Sequence, residues 1–265
     1  STFTPQTDVT GTWKEATPVN VRDFSATAYY FGRLINEVLD VPVGLVVAAW
    51  GGSACEAWMT ADWLKAFPDA KIPQSEADIK SKNRTPTVLY NGMLHPLIGM
   101  TMKGVIWYQG ESNDSRAADY QMVFTNLIRS WRAEWKQGDF PFYFVQIAPY
   151  RKQSPTLREG QLRTWQTVKN TGMAVITDAG DSTNIHPRNK VIPGERLAYW
   201  ALSHDYDIDV PYMGPVYKSM TVRGGVAELS FDYTGSGLYS KGQPLKGFVI
   251  AGDDGVFYPA QAVIR

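Results

Sequence analysis

Short unbroken runs of apolar residues, each separated from the next by a longer stretch of helical spacing, constrain this chain more than any other feature. The first run is Val43-Gly44-Leu45-Val46-Val47-Ala48-Ala49-Trp50, set between Pro42 and Gly51-Gly52, and it predicts a strand buried on both faces. Gly104-Val105-Ile106-Trp107-Tyr108, Phe142-Tyr143-Phe144-Val145-Gln146-Ile147 and Met173-Ala174-Val175-Ile176-Thr177 predict three more. Between them lie predicted helices. One is capped by Asp23 or Ser25 and runs to Asp40, with Tyr29, Phe31, Leu34, Ile35 and Val38 at helical spacing; others cover 56–67, 116–135, 157–168 and 195–203. The helix over 116–135 carries Tyr120, Phe124, Leu127, Ile128 and Trp131 on one face. Residues 1–20 and 69–87 are polar and turn-rich and predict surface chain. Strands alternating with helices imply right-handed crossovers and a parallel sheet covered on both faces. After Pro211 the period changes to two, as in Ala227, Leu229 and Phe231, with turns at Gly224-Gly225 and Gly235-Ser236-Gly237. The expectation is therefore an α/β domain over 1–210 and a β-rich, antiparallel segment over 211–265 that ends in the middle of a strand.

Charge and cysteine content narrow the function. Lys and Arg number 26 against 26 Asp and Glu, so no net field recruits nucleic acid or an anionic membrane. No apolar run reaches the ~20 residues that cross a bilayer. The single cysteine, Cys55, forms no internal disulfide and has no second thiol to share a zinc ion, and it reads as a small packing residue. No Walker loop and no His-x-x-x-His pair is present, so neither a metal nor another cofactor is expected.

In an open parallel sheet, ligands bind beyond the carboxyl ends of the strands, so the residues that follow each run carry the information. They are Trp50-Gly51-Gly52-Ser53, Gln109-Gly110-Glu111-Ser112-Asn113, Gln146, and the loop from Asp178 through Asp181 to His186-Pro187. Together they describe one polar pocket. The glycine pair lets a reacting group approach a main-chain N–H, which suits an oxyanion donor, and it equally suits a tight turn. Asn113 offers a neutral amide to a developing oxyanion, and also suits the cap of the following helix. Of the three histidines, His95 lies in an apolar stretch and His204 at a helix end beside Asp205, whereas His186 sits on a long polar loop with carboxylates upstream. That is how a loop delivers an oriented base. Neither Ser53 nor Ser112 lies in a Gly-x-Ser-x-Gly elbow, so the residues yield a base and oxyanion donors without a nucleophile.

Four blocks then resemble one family. They are Trp50-Gly51-Gly52-Ser53 with Glu56-Ala57-Trp58; Thr85-Pro86-Thr87-Val88-Leu89-Tyr90-Asn91-Gly92-Met93; Trp107-Tyr108-Gln109-Gly110-Glu111-Ser112-Asn113; and Ile185-His186-Pro187 before Asn189-Lys190. They are similar to the sialate O-acetylesterases, SGNH hydrolases that deacetylate sugars. The resemblance extends through Asp139-Phe140-Pro141-Phe142-Tyr143 and Gly247-Phe248-Val249-Ile250-Ala251-Gly252.

It implies a flavodoxin-like three-layer α/β/α fold, Gly52 or Gly51 and Asn113 as oxyanion donors, and His186 as base. Asp181 is the nearest upstream carboxylate to orient that base, since the position three before the histidine is Thr183. Trp50, Tyr108, Gln109 and Glu111 are expected at the sugar, and an acetylated sugar is the expected partner, which suggests export to a periplasm or the cell exterior. The family also implies a nucleophilic serine in a Gly-Gln-Ser-Asn motif after its first strand. This sequence has no such motif, so the expectation is that the serine and its strand are carried by polypeptide upstream of Ser1. The opposed reading is a carbohydrate-binding module that kept the pocket without the nucleophile. Acetylated sialic acid, acetylated xylan and other acetylated glycans stay open as substrates.

Overall fold

The computed structural model describes residues 1–240 and 242–265. Its contacts divide the chain into two units, Ser1–Tyr212 and Met213–Arg265.

The first unit is built on a parallel sheet, β1 (Val105–Trp107), β2 (Phe142–Val145) and β3 (Thr171–Ala174), in the order β1-β2-β3. Helices cover both faces. The one-turn helix α1 (Pro18–Val21) precedes α2 (Ala26–Leu39), and α3 (Ala61–Leu64) is another single turn; α4 (Tyr120–Trp135), α5 (Pro155–Thr167) and α6 (Val191–Asp205) complete the set. Period-two alternation along β2 assigns the layers. Phe142 meets Trp131 and Phe124 of α4, and Phe144 meets Phe124 at 4.9 Å, while Tyr143 turns the other way and stacks on Trp200 of α6 at 6.1 Å. Helix α2 packs on α6 and α4 on α5, so the three layers follow from one alternating strand. Arg132 of α4 donates to the carbonyls of Phe140, Lys169 and Asn170, which fixes the entry points of β2 and β3 to the helix layer.

The local chemistry explains the helix limits. Ser25 accepts the Ala28 N–H and starts α2, and Asp40 at φ 52° stops it. Ser154 caps α5 with Pro155 at its first position. The stretch expected as a helix over 56–67 is instead a 3₁₀ turn, Cys55–Trp58, followed by α3. Likewise the helix expected from residue 116 begins as 3₁₀ chain, Glu111–Asp119, broken at Arg116 (φ −129°), before α4. Asn113 therefore caps no α-helix. Its side chain is taken by Cys55, Gln109 and Glu56.

The largest departure concerns residues 43–50, expected as a strand buried on both faces. They join no ladder among the described residues, and Val46, Val47 and Trp50 are 46, 40 and 41% exposed. An apolar groove of about 610 Å³ is lined both by Val43, Leu45 and Val46 and by Gly104, Val105 and Ile106. Strands at the ladder spacing of ~4.8 Å leave no such space between them, so a run with strand composition here lacks a hydrogen-bonding neighbour.

Among the described residues, the second unit holds two antiparallel pairs. β4 (Val216–Arg223) and β5 (Val226–Asp232) form a hairpin closed by Gly224 and Gly225, both at positive φ. β6 (Val249–Ala251) pairs with β7 (Phe257–Pro259).

Candidate active site

The strand-end loops meet in one cavity of about 580 Å³, lined by Trp50, Gly51, Gly52, Ser53, Tyr108, Gln109, Glu111, Ser112, His186 and Lys190, with Ser25 and Thr27 from the start of α2 and Arg84 from the 69–87 excursion. Of the eight residues expected to form the site, Trp50, Gly52, Tyr108, Gln109, Glu111 and His186 line it. Asn113 and Asp181 do not.

The first wall is the turn Trp50–Ser53. The Ser53 N–H donates to the Trp50 carbonyl at 3.3 Å, and Gly52 takes φ +69°, a conformation that a type II turn demands at this position and glycine adopts without strain. Three successive carbonyls of the turn are held from outside. Asn83 Nδ2 donates to Gly51 at 2.7 Å, Arg84 Nε to Gly52 at 3.2 Å, and Gln109 Nε2 to Ser53 at 2.9 Å.

A buried polar network supports the second wall. Asn113 is 2% exposed; its Oδ1 accepts from the Cys55 N–H and from Gln109 Nε2, and its Nδ2 donates to Glu56 Oε2 at 2.9 Å. Glu56 is 4% exposed and pairs through Oε1 with Arg116 at 2.7 Å. Tyr120 donates its hydroxyl to Gln109 Oε1, and Gln161 donates to the Gln109 carbonyl. Each buried dipole is thus matched, which burial requires. Gln109 presents to the cavity a side chain whose amide is fixed at both ends. Cys55 lies beneath, fully buried, and burial pushes its thiol well above its usual range, so it stays a neutral packing residue as expected.

His186 occupies the third wall on the loop that leads into α6. Its main-chain N–H donates to Asn184 Oδ1 at 2.9 Å. Asp181 turns to the loop itself: its Oδ1 accepts from Thr183 N and Thr183 Oγ1, both at 2.7 Å, and these bonds hold its carboxyl below the usual range. Asp178, the other upstream carboxylate, forms a two-pronged pair with Arg196 at 2.6 Å. The carboxylate that shares the cavity lining with His186 is Glu111. Burial raises its pKa, and the charges of His186 and Lys190 oppose that rise. Lys190 Nζ lies 5.0 Å from the centre of the Tyr108 ring, a cation–π geometry, and burial lowers its pKa while Glu111 raises it. Burial likewise lifts the Tyr108 hydroxyl.

Sequence reasoning placed Glu111 at the sugar and missed its proximity to His186, as it missed Lys190, Asn83 and Arg84. The available signal was charge: Glu111 and Lys190 are opposite charges on two loops that the fold was expected to bring together. Nothing local marked Asn83 or Arg84. The other histidines are structural. His95 Nδ1 lies 2.7 Å from the Gln6 carbonyl, and His204 sits between Trp200 and Tyr212 at 4.9 and 4.5 Å.

The chain is similar to known proteins over most of its length. The chain is 33% identical over 253 residues to the sialate O-acetylesterase of Homo sapiens, covering 83% of this chain and 48% of that one, and 31% identical over 283 residues to that of Mus musculus, covering 85% and 52%. It spans about half the length of the curated relatives it matches. The crystal structure of a carbohydrate acetylesterase from Xanthomonas citri superposes with a TM-score of 0.89 at 42% identity, over all of this chain and 60% of that one. This likeness and the three-layer sheet make the unit's fold that of a carbohydrate esterase. A family model described as carbohydrate esterase, sialic acid-specific acetylesterase, matches residues 9–202, and the chain belongs to that family.

Proposed function

We propose that this chain supplies the base and the oxyanion site of a serine-type carbohydrate O-acetylesterase, with O-acetylated sialic acid as its substrate. The observation that carries the reading is that His186, Glu111 and the Gly52 turn line one cavity beyond the carboxyl end of β1. In the reaction, His186 takes the proton of a serine hydroxyl as its oxygen bonds to the acetyl carbonyl carbon. The carbonyl oxygen becomes an oxyanion that accepts from the Gly52 N–H, while Asn113, buried outside the cavity lining, holds Gln109 and Glu56 in place behind it. Collapse breaks the bond to the sugar oxygen, which takes the proton back from the imidazolium. Water then repeats the sequence on the acyl-enzyme and releases acetate. Glu111 is placed to stabilise the imidazolium as it forms, whereas Asp181 supports the base by shaping its loop. Trp50 offers an aromatic face to the sugar ring, and Gln109, its amide held by Ser53, Asn113 and Tyr120, stiffens the wall against which the sugar rests.

The nucleophile is the remaining element. Ser25 Oγ is engaged in capping α2, and Ser53 Oγ accepts the Trp58 indole N–H at 2.9 Å. Our reading places the attacking serine on a further strand of the same polypeptide, outside residues 1–265, seated between residues 43–46 and β1. Ser112, which lines the cavity with His186, carries the second reading.

The test is acetate release by the complete polypeptide from O-acetylated sialic acid, acetylated xylan and p-nitrophenyl acetate. His186→Ala is expected to lower turnover by about 10²–10⁴-fold on each, the range for loss of a general base, while Ser112→Ala leaves it within a few-fold. Turnover unchanged by His186→Ala rejects the base, and turnover abolished by Ser112→Ala makes Ser112 the nucleophile. Preference for an acetylated glycan over acetylated sialic acid corrects the substrate alone.

A further inference from the structure

The turn that carries Gly52 has two accessible forms. Types I and II share the closing bond from Ser53 N to the Trp50 carbonyl and differ by rotation of the central peptide, the one that joins Gly51 to Gly52. Across a trans peptide the carbonyl and the N–H point in opposite directions. Rotation therefore exchanges the sides on which the Gly51 carbonyl and the Gly52 N–H emerge. With glycine at both central positions, backbone sterics favour neither form strongly. An oxyanion donor placed on such a turn needs an outside restraint, because a donor acts only where it is aimed before charge develops.

Asn83 supplies one. Its Nδ2 donates to the Gly51 carbonyl at 2.7 Å, the one bond that the rotated form would break. Its Oδ1 accepts from Ser81 Oγ at 2.9 Å, which turns the NH₂ edge of the amide toward the turn. Its own carbonyl accepts the Ala54 N–H at 3.1 Å, so side chain and main chain hold the turn from the same side. The positive φ of Gly52 is the form that this bond selects. Gly51, Gly52 and Ser53 line the cavity and Asn83 does not, and the Gly52 N–H, opposed to the carbonyl that Asn83 holds, points away from Asn83.

We propose that Asn83 is a positioning residue, holding the Trp50–Ser53 turn in the form that aims the Gly52 N–H at the substrate carbonyl. The proposal rests on the oxyanion role of Gly52 given above. In the complete polypeptide, Asn83→Ala is expected to lower kcat on p-nitrophenyl acetate about 10-fold, less than the 10²–10³ of losing a donor outright, with KM within about twofold because the interaction serves the transition state. Asn83→Asp keeps the size but sets a carboxylate against the Gly51 carbonyl, and is expected to lose more than the alanine variant. A merely structural asparagine would lower the melting temperature and leave the kcat of folded protein unchanged.

The turn itself is read by NMR, independently of activity. The nuclear Overhauser effect between Gly51 Hα and the Gly52 amide proton is strong in the type II form and weakens when the peptide rotates. It is expected to be strong in the wild type and weak in both variants. An unchanged kcat in Asn83→Ala, or an unchanged Overhauser effect, overturns the role of Asn83. A wild type with the restrained turn and no esterase activity removes the oxyanion reading instead.

Discussion

At the scale of single residues the site stores opposition between burial and charge, and Glu111 is the clearest case. Its carboxyl is driven upward by burial, and the charge of Lys190, which lies beside the Tyr108 ring, opposes that rise. A carboxyl whose folded pKa exceeds its unfolded one supports folding below the ordinary carboxylate range and loses that support as pH rises through the folded value. Above the ordinary carboxylate range the buried Glu111 carboxyl therefore costs stability, and Glu111→Gln is expected to raise the melting temperature at neutral pH while lowering turnover. The stability gap should close on acidification below the carboxylate range; a gap that instead widens would show that the pairing outweighs the burial. Gly110 makes a different point. A Cβ there would come within 2.7 Å of Ile147 Cγ2 and 2.9 Å of Leu157 Cδ2, so Gly110→Ala is expected to cost about 1–3 kcal/mol in urea titration, the range for overpacked cores. Residue type made His186, Gly52, Gln109 and Tyr108 legible in the sequence, because each ends or follows a run that stops at the ligand-binding edge. Asn83 was not legible, since its partner is a carbonyl contributed by a distant segment, and a backbone atom leaves no trace in composition.

At the scale of elements, helices were the legible part and their margins were not. The apolar stripe of α4, from Tyr120 to Trp131, is buried as its spacing required. Its 3₁₀ approach was hidden because Asn113 and Asp114 look like caps, whereas the fold spends them on tertiary bonds to Cys55 and to Ser154. Residues 43–50 show the limit of composition: an apolar run states that a strand would be buried, and only a neighbour at ladder distance makes it one. Between helices the decisive feature is small. A Cβ on Gly194 of α6 would lie 2.7 Å from Tyr30 Cβ, 2.8 Å from the Thr27 carbonyl and 3.0 Å from Phe31 N, all on α2. Backbone gives way less readily than a side-chain tip, so Gly194→Ala is expected to push α2 from α6 and to cost about 1–3 kcal/mol. Because α2 brings Ser25 and Thr27 to the cavity and the His186 loop feeds α6, the same substitution should raise KM. A destabilised protein with unchanged KM would show that the cavity does not depend on that packing.

At the scale of the whole molecule, a zero formal charge leaves substrate capture to contacts inside the cavity instead of a long-range field, and the sheet decides where those contacts are. Its β1 edge faces the groove that ends at residues 43–46, and an open apolar strand edge invites pairing with other chains. The serine strand proposed for this groove would complete a ladder on both sides at once and would carry its hydroxyl to the same carboxyl end where His186 and Gly52 stand. Two measurements follow on residues 1–265 and on the complete polypeptide. Backbone amides of 43–49 and 105–107 are expected to exchange slowly with solvent only in the complete polypeptide, since ladder bonds protect them there. Esterase activity is expected to appear only with it, and residues 1–265 by themselves should aggregate on concentration. Intact-mass measurement of the active sample closes the test. If a lone 29.6 kDa species hydrolyses acetyl esters with these amides unprotected, the groove holds no catalytic strand, and the attacking hydroxyl belongs to the cavity wall, where Ser112 is the one to substitute.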